Sequence, residues 1–321
     1  MKKILNRLTL LFYKVTGLGK EFKFTLKKNQ PTYYIVRRNI RWGIAGFFSN
    51  YLYAISHITY AKEQGYIPVV DMENFKTLYS EKKPINGKKN VWEYYFSNNG
   101  ISTKKAYASK NFILSDGFNQ KPGYKLYIET NKVCDINRDI YKKTESLSKE
   151  YYTINKTLLT KFENLRNELF SDKSICGLHY RGTDKITPPK GHRYTPDISN
   201  FISAVKEIIK NHKVDILFIC TDEEDFIDIM SNEFKNLTIK STQSFRLNSN
   251  DHTGVHYAKP VNARKNHYYL LGEEVLCDTY LLSKCDYLIC GHSNVSIAAM
   301  FMNGDTYKEK IIIDSGDVKQ N

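Results

Sequence analysis

The stretch CGLHYRGTDK, residues 176–185, changes abruptly from apolar to charged, and this change points to chemistry. An apolar run ends at His179 and Tyr180 and is followed by Arg181, with Asp184 and Lys185 close behind. Arginine is planar, always charged and able to donate to two oxygens of one phosphate group. The pattern predicts a bound phosphate just beyond a buried strand. A salt bridge between Arg181 and Asp184 is the alternative interpretation.

Two later apolar runs, ILFIC and DYLIC, end in the same way. The residues that follow them are Thr221, Asp222 and Glu223 in the first case, and Gly291, His292, Ser293 and Asn294 in the second. The carboxyl ends of parallel strands meet at one edge of a sheet, so we expect the three polar clusters to converge there. A helix starting at Ser293 would add free N–H groups that favour anions. Plain helix capping by Ser293 and by the acidic run 222–225 is the alternative.

Asp278 is predicted to be a buried carboxylate. It shares a helical stripe with Leu271, Val275 and Leu282, and a buried carboxylate needs hydrogen-bond partners. The Watson–Crick edge of guanine offers two adjacent donors that one carboxylate accepts, whereas adenine has no such pair. Retention of Asp278 by backbone N–H groups or an arginine is equally compatible with the spacing.

Alternating strands and helices must position these residues. Strand-like runs at 33–37, 66–71, 175–180, 215–222, 285–290 and 310–314 alternate with helical runs at 46–64, 151–170, 198–209, 224–234, 270–284 and 293–302. This alternation predicts parallel sheets with helices on both faces. We therefore expect an α/β protein with two Rossmann-type domains facing a cleft. The expected parts are a basic N-terminal arm (1–30), an N-terminal acceptor-side domain (31–170) and a C-terminal nucleotide-binding domain (171–321).

The composition restricts the partners. The 321 residues carry a net charge of +14, and residues 1–28 supply half of that excess through eight lysine or arginine residues against Glu21 alone. A basic segment with leucines at near-helical spacing is typical of a membrane-surface helix, and a solvated start packed on the body is the alternative. The six cysteines form no C-x-x-C pair. We expect reduced core thiols and a cytoplasmic protein, associated at its periphery with the inner face of a membrane if the arm binds lipid.

Evidence for a metal or a sugar-stacking surface is weaker. Asp71 and Glu73 in DME are the nearest approach to a two-carboxylate metal motif, and no HExxH pattern occurs. The tyrosines and Trp92 in NVWEYYF could stack on a sugar, although such clusters more often form core. We expect no metal cofactor, because an arginine and helix N-termini can neutralise a diphosphate leaving group.

These motifs resemble those of a known family. GLHYRGTDK resembles the HxRRTDK motif of the α1,6-fucosyltransferases, which include the rhizobial nodulation enzymes and the core N-glycan enzymes of animals. DTYLLSKCDYLICGHSN, residues 278–294, is similar to their DxxxLSxxDxLVCTxSS without a gap. CTDEEDF resembles ATDDxxL, and GFFSNYLYAISHITYA, residues 46–61, is a looser match to their glycine-rich first helix.

The resemblance implies a GT-B fold and an inverting, metal-independent transfer from a GDP-sugar. It places His179 and Asp278 at guanine and Arg181 at the β-phosphate, with Asp184 and Lys185 in matching catalytic-motif positions. The remaining implied donor-site residues are Ser293 and Asn294 at the phosphates, Gly46 and Phe48 near them from the first domain, and Asp222 and Glu223 along the nucleoside.

Departures from the family pattern concern catalysis. Gly182 stands where the motif has its second arginine, and Asn294 replaces a serine. The acid that serves the mammalian enzymes as acceptor base falls near Pro189. The general base that would deprotonate the acceptor is therefore unassigned. The low-ranked candidates for it are His192, Asp71 and Glu93.

Three hypotheses follow from the sequence. The first is a glycosyltransferase that moves a sugar, fucose by resemblance, from a GDP-sugar to a glycan or lipid-linked glycan acceptor in surface polysaccharide synthesis. The second is a transferase of the same architecture that uses a UDP-sugar or another donor with a metal at Asp71 and Glu73. The third is a non-catalytic nucleic-acid-binding protein, disfavoured because the basic excess lies in the arm and no RNA-binding signature occurs.

Overall fold

The computed structural model describes residues 22–24, 30–38, 45–74, 77–97, 100–109, 111–116, 138–182, 196–248, 264–304 and 306–313. These residues form two compact units that divide between Lys156 and Thr157. The boundary we predict at residue 170 differs from this division by one helix. No helix within the described ranges is long and apolar enough to cross a membrane.

The first unit is built on a four-stranded sheet. Its strands are β1 (Phe22–Phe24), β2 (Tyr33–Arg37), β3 (Ile67–Val70) and β4 (Phe112–Asp116). They lie in the order β1-β4-β2-β3, and β1 is antiparallel to β4 whereas the other neighbours are parallel. The strand β1 falls within the stretch predicted to be a basic arm, so these three residues belong to the sheet instead.

Helices and aromatic side chains pack around this first sheet. The helices are α1 (Phe47–Glu63), α2 (Trp92–Tyr95), α3 (Thr103–Ala108) and α4 (Arg138–Tyr151). Trp92, Tyr94 and Tyr95 are buried, and Trp92 stacks on Tyr51 of α1 with ring centroids 6.2 Å apart. The core interpretation of NVWEYYF is therefore confirmed, and the sugar-stacking interpretation of these three rings is wrong.

The second unit is built on a five-stranded parallel sheet. Its strands are β5 (Ile175–Tyr180), β6 (Ile216–Thr221), β7 (Thr238–Lys240), β8 (Tyr287–Gly291) and β9 (Glu309–Ile313), in the order β7-β6-β5-β8-β9. The strands β5 and β6 are buried along their whole length. Continuous apolar runs of this kind are what a parallel sheet covered on both faces requires.

Helices cover both faces of this second sheet. They are α5 (Lys156–Phe170), α6 (Ile198–Asn211), α7 (Glu224–Glu233), α8 (His267–Leu282) and α9 (Asn294–Asn303). Leu178 and Tyr180 of β5 pack with Phe201 of α6 and Phe226 of α7 in one core cluster. The alternate residues of β5 face the other layer, where α8 and α9 lie.

Gly177 allows the close approach of α8 to β5. A Cβ atom at this position would lie 2.7 Å from Leu282 Cδ1 and 2.9 Å from Cys285 Sγ, which is closer than packed carbon and sulfur atoms tolerate. The described cysteines are buried and form no disulfide with one another; they are Cys176, Cys220, Cys277, Cys285 and Cys290. This agrees with the prediction of reduced core thiols for these five.

Candidate functional site

The pairing register brings the three polar strand ends to one edge of the second sheet. His179 pairs with Cys220 of β6 on one side and with Cys290 of β8 on the other. Arg181, Asp222 and His292 follow these strands at the same edge. The convergence predicted from the sequence is therefore present.

His179 lies at the centre of a hydroxyl network. Its Nδ1 is 2.9 Å from Ser296 Oγ and 3.4 Å from Ser293 Oγ. Ser296 Oγ donates to the carbonyl of Gly291 at 2.9 Å, so Nδ1 is the donor to Ser296 and Nε2 is the ring acceptor. Burial, together with the nearby Arg181 guanidinium, lowers the pKa of His179 to about 3. The ring is neutral near pH 7.

Ser293 caps the helix α9. Its Oγ accepts the Ser296 N–H at 3.1 Å, and Asn294 is the first residue of the helix. The capping interpretation of Ser293 is thus confirmed. Capping does not remove the anion-binding capacity of the helix start, because the other first-turn N–H groups still point outward.

Asp278 is buried in α8 on the same face of the sheet as His179. Only 5% of Asp278 is exposed. Burial, followed by the charge of Asp278, raises the pKa of the Cys220 thiol. Cys220 pairs with His179 in the neighbouring strand. Burial raises the pKa of Asp278 to about 6, and hydrogen bonds from Thr242 and Ser244 oppose this rise. Asp278 and His179 therefore share one buried, polar end of the fold.

Two hydroxyl groups hold the Asp278 carboxylate. Thr242 Oγ1 donates to Oδ1, and Ser244 Oγ donates to Oδ2 at 3.1 Å. The hydrogen bonds to the carboxylate thus come from hydroxyl groups and not from backbone N–H groups of the described residues. The charge of Arg246 also lowers the pKa of Asp278, which agrees with the arginine alternative. Each carboxylate oxygen has two lone pairs, so both oxygens keep capacity for one further donor.

Arg246 organises the segment that supplies these hydroxyls. Its NH2 group donates to the Thr242 carbonyl at 2.7 Å and its NH1 group to the Ser244 carbonyl at 3.2 Å. Thr242, Ser244 and Arg246 are not among the residues that the sequence predicts for the site. They follow the three-residue strand β7. A search for polar residues directly after predicted strands would identify them, but a strand this short is not recognisable in the sequence.

Asp222 and Glu223 are placed differently from one another. Asp222 Oδ1 accepts the backbone N–H of Gly182 at 2.9 Å, which ties the end of β6 to the end of β5. Glu223 occupies the N-cap position of α7, but its side chain makes no capping hydrogen bond. The prediction that Glu223 is a helix-start residue is therefore confirmed, although its side chain does not cap the helix. Burial, followed by the charges of Asp222 and Asp225, raises its pKa to about 7.

The first-unit candidates lie at the start of α1 and after β3. Gly46 is the N-cap of α1, and Phe48 is buried in its first turn. Asp71 accepts hydrogen bonds from the backbone of Glu73 and Asn74, the Asn74 amide and the Tyr107 hydroxyl. A carboxylate occupied in this way has little capacity left to act as a base or metal ligand. The donor role implied for Gly46 and Phe48 stays a prediction.

Three predicted residues lie outside the described ranges. They are Asp184, Lys185 and His192. Glu93, another candidate base, forms a salt bridge with Lys88 at 3.1 Å. Among the described residues, no group of three or more His, Cys, Asp or Glu side chains is arranged to hold a metal ion.

Comparison with known proteins gives a family match and a fold match. Residues 148–299 match the family model of the alpha-(1,6)-fucosyltransferase N- and catalytic domains. The crystal structure of the NodZ alpha-1,6-fucosyltransferase soaked with GDP-fucose superposes with a TM-score of 0.51 at 16% identity, over 85% of this chain and 93% of that one. The chain therefore contains a fucosyltransferase-like domain over these residues, and it shares its fold with this NodZ structure.

Two further solved structures superpose less closely on this chain. Fucosyltransferase NodZ from Bradyrhizobium gives a TM-score of 0.48 at 13% identity, over 86% of this chain and 93% of that one. POFUT1 in complex with GDP gives 0.44 at 9% identity, over 90% and 99%. Sequence comparison with curated proteins gives no match.

The matches confirm the fold class and identify a fucosyltransferase-like region. The α/β architecture of GT-B type that we expected is confirmed by the first NodZ structure, whose likeness extends over both units. The family match runs from α4 to α9 and includes all three polar strand ends of the second unit. The alternative of a non-catalytic nucleic-acid-binding protein is not supported.

Proposed function

We propose that this glycosyltransferase transfers a sugar from a GDP-sugar, fucose by family resemblance, to a glycan acceptor with inversion at the anomeric carbon. The main support is the buried Asp278 carboxylate at the polar edge of the second sheet. Its two oxygens each accept one hydroxyl and each retain a free lone pair. The N1–H and N2–H groups of guanine are the matching pair of donors.

The diphosphate is proposed to lie between Arg181 and the start of α9. Arg181 follows β5 directly, and α9 begins at the neighbouring end of β8. Both features attract anions. As the anomeric C–O bond breaks, negative charge grows on the diphosphate, and these groups stabilise it without a metal.

The neutral imidazole of His179 fits a positioning function beside the nucleotide. Its Nδ1 is held by Ser296, whereas Nε2 accepts. A neutral acceptor tolerates a nearby N–H or O–H donor of the nucleoside and adds no positive charge of its own. This proposal agrees with the guanine contact that the resemblance implies.

The acceptor and the setting of the reaction are proposed from the sequence. We infer a surface glycan or lipid-linked glycan as acceptor, because the basic residues 1–28 fit the anionic surface of a membrane. The protein would then act in the cytoplasm, at the inner face of that membrane. Sedimentation with anionic vesicles, comparing the full chain with a chain that lacks residues 1–20, tests this setting; equal sedimentation of both would contradict it.

Turnover of nucleotide sugars tests the proposed reaction. The purified protein is incubated with GDP-fucose, GDP-mannose or UDP-glucose and a panel of glycan acceptors, with and without EDTA, and nucleotide release is measured. We expect release from the GDP-sugars alone, unchanged by EDTA, and a product whose anomeric configuration by NMR is opposite to that of the donor. Activity confined to UDP-glucose, or abolished by EDTA, would contradict the proposal.

A further inference from the structure

A buried glutamate oxygen without a hydrogen-bond partner lies beside the proposed phosphate site. Glu223 is only 3% exposed, and its buried Oε1 atom has no hydrogen-bond partner among the residues that the structure describes. Leaving a carboxyl oxygen buried and unpaired costs free energy. Such a group at a strand end of a binding edge is therefore a candidate for contact with a ligand.

The Glu223 carboxyl occupies the space that a side chain at position 182 would need. A Cβ atom at Gly182 would overlap the carboxyl group of Glu223. The family motif has arginine at this position, whereas this chain has glycine. Positions 182 and 223 therefore compete for one space next to Arg181, and in this chain the carboxyl group fills it.

The surroundings of Glu223 favour its acid form. Burial and the charges of Asp222 and Asp225 raise its pKa to about 7, and Tyr180 of the adjacent strand interacts electrostatically with it. Arg246 pairs with the neighbouring Glu224 at 3.6 Å and leaves Glu223 unpaired. A protonated carboxyl group is neutral and donates one O–H, which suits a phosphate oxygen that a carboxylate would repel.

We propose that the Glu223 carboxyl donates a hydrogen bond to the diphosphate of the donor, beside Arg181, and so supplies the donor that Gly182 lacks. This inference rests on the proposed function of the same site. It replaces the nucleoside contact that the resemblance implies for Glu223.

The hydrogen bond assists departure of the nucleotide without a proton transfer to it. The anomeric C–O bond breaks with its electron pair going to the β-phosphate oxygen, and the acceptor oxygen forms the new bond to that carbon. The proton of the acceptor hydroxyl is released to solvent. As charge grows on the phosphate, the hydrogen bond from Glu223 strengthens.

GDP affinity of three variants tests this proposal by calorimetry at pH 6.5. Glu223→Gln keeps a donor of the same shape and is expected to bind GDP within about threefold of the wild type, whereas Glu223→Ala is expected to bind about 10- to 100-fold more weakly. Exposed Glu207 provides the control Glu207→Gln. Wild-type affinity in Glu223→Ala would overturn the proposal, and so would a Glu223→Gln variant as weak as Glu223→Ala.

A double variant tests the shared space. In Glu223→Ala the cavity beside Arg181 can accept a side chain at 182, so Gly182→Arg in that background is expected to restore GDP affinity at least fivefold. Gly182→Arg alone is expected to impair binding, because the two side chains overlap. No restoration in a double variant that melts like Glu223→Ala would overturn the claim that both positions serve one phosphate site.

The pH profile keeps the test valid if Glu223→Ala fails to fold. The ratio of wild-type to Glu223→Gln dissociation constants is expected to rise about tenfold between pH 6 and pH 9, as Glu223 loses its proton and the donor disappears. A constant ratio would overturn the proposal. A wild type that binds no GDP at any pH would instead refute the proposed function, so the two failures are distinguishable.

Discussion

The two sheets of this protein end in polar residues of similar type, yet they use them differently. In the first unit, Asp71 follows β3 and is 1% exposed, and its oxygens are taken up by the following turn and by Tyr107. In the second unit, Glu223 follows β6, and within the described part of the chain one of its carboxyl oxygens has no hydrogen-bond partner. Asp278 keeps free lone pairs. The first carboxylate is used by local structure, whereas the carboxyl groups of the second unit keep unused hydrogen-bonding capacity.

The comparison shows what a polar strand end does and does not establish. The carboxyl edge of a parallel sheet gathers polar groups in both units. The cavity at this edge of the first unit, lined by Arg37, Arg38 and Asp71 among others, has a volume of only about 20 Å³, enough for about one water molecule. A carboxylate whose oxygens are occupied by hydrogen bonds from the adjacent turn has a structural role, whereas one with unoccupied lone pairs can bind a ligand.

The largest expected effect is the loss of transfer in Arg181→Ala. Removing the guanidinium from the proposed phosphate site should lower kcat/KM for the GDP-sugar by about 10³-fold, as for loss of a group that stabilises transition-state charge. Arg166→Ala, on the half-exposed surface of α5, is the matched control. A circular dichroism spectrum like that of the wild type excludes unfolding, and near-normal transfer in a folded Arg181→Ala would remove the phosphate role.

The contrasting change in the first unit should affect stability and leave binding unchanged. Asp71→Ala leaves Tyr107 and Asn74 without their acceptor, which should lower the free energy of unfolding by about 3 kcal/mol. Urea unfolding measures this loss, and calorimetry at low temperature should give unchanged GDP affinity. A tenfold weaker GDP affinity with unaltered stability would contradict the structural role of Asp71 and indicate a binding role instead.

A smaller effect is expected when a support of Asp278 is removed. Thr242→Val deletes a hydrogen bond that lowers the Asp278 pKa, so this pKa should rise above its wild-type value of about 6. GDP affinity, which requires the carboxylate, should fall about fivefold at pH 6.5 and recover toward pH 8. Thr238→Val, on the exposed surface of β7, is the control. A pH-independent loss would contradict this explanation.

An effect of comparable size but opposite sign, a gain in stability, is expected in Glu223→Gln. An ordinary glutamate loses its proton near pH 4.3, whereas Glu223 in the folded protein does so at about 7. Folding therefore favours the protonated form, and the stability that depends on it falls as the pH rises from about 4.5 to about 7. The variant should exceed the wild type by about 1–2 kcal/mol at pH 8 and match it at pH 4. If the wild type and Glu223→Gln had equal urea midpoints at both pH values, the raised pKa of the buried Glu223 would be contradicted.

Much of the second unit can be predicted from sequence because its signals are local. The apolar runs that form β5, β6 and β8 are long and lead directly into helices, so both the parallel sheet and its polar edge follow from periodicity. Asp278 is recognisable as buried because its helix neighbours are apolar. The amino-acid sequence alone therefore predicts which polar groups meet at this edge of the sheet.

Other features depend on contacts between distant segments. The strand β7 has only three residues, so Thr242 and Ser244 carry no recognisable strand signal, although they are the groups that hold Asp278. The helix α4 lies in a polar stretch, and the apolar run of β4 is only three residues long (Phe112, Ile113 and Leu114), so the sequence pattern does not predict either element. The overlap between position 182 and Glu223 joins residues 41 positions apart and appears only once the two strands are paired.

The most direct test of the proposed function is calorimetric titration of the protein with GDP, UDP and ADP, repeated with Asp278→Asn. We predict binding selective for GDP at pH 7.5, weakened about 10- to 100-fold by Asp278→Asn and unaffected by Asp228→Asn on the exposed face of α7. Equal binding of the three nucleotides, or GDP binding that Asp278→Asn leaves intact, would contradict a guanine site at this carboxylate.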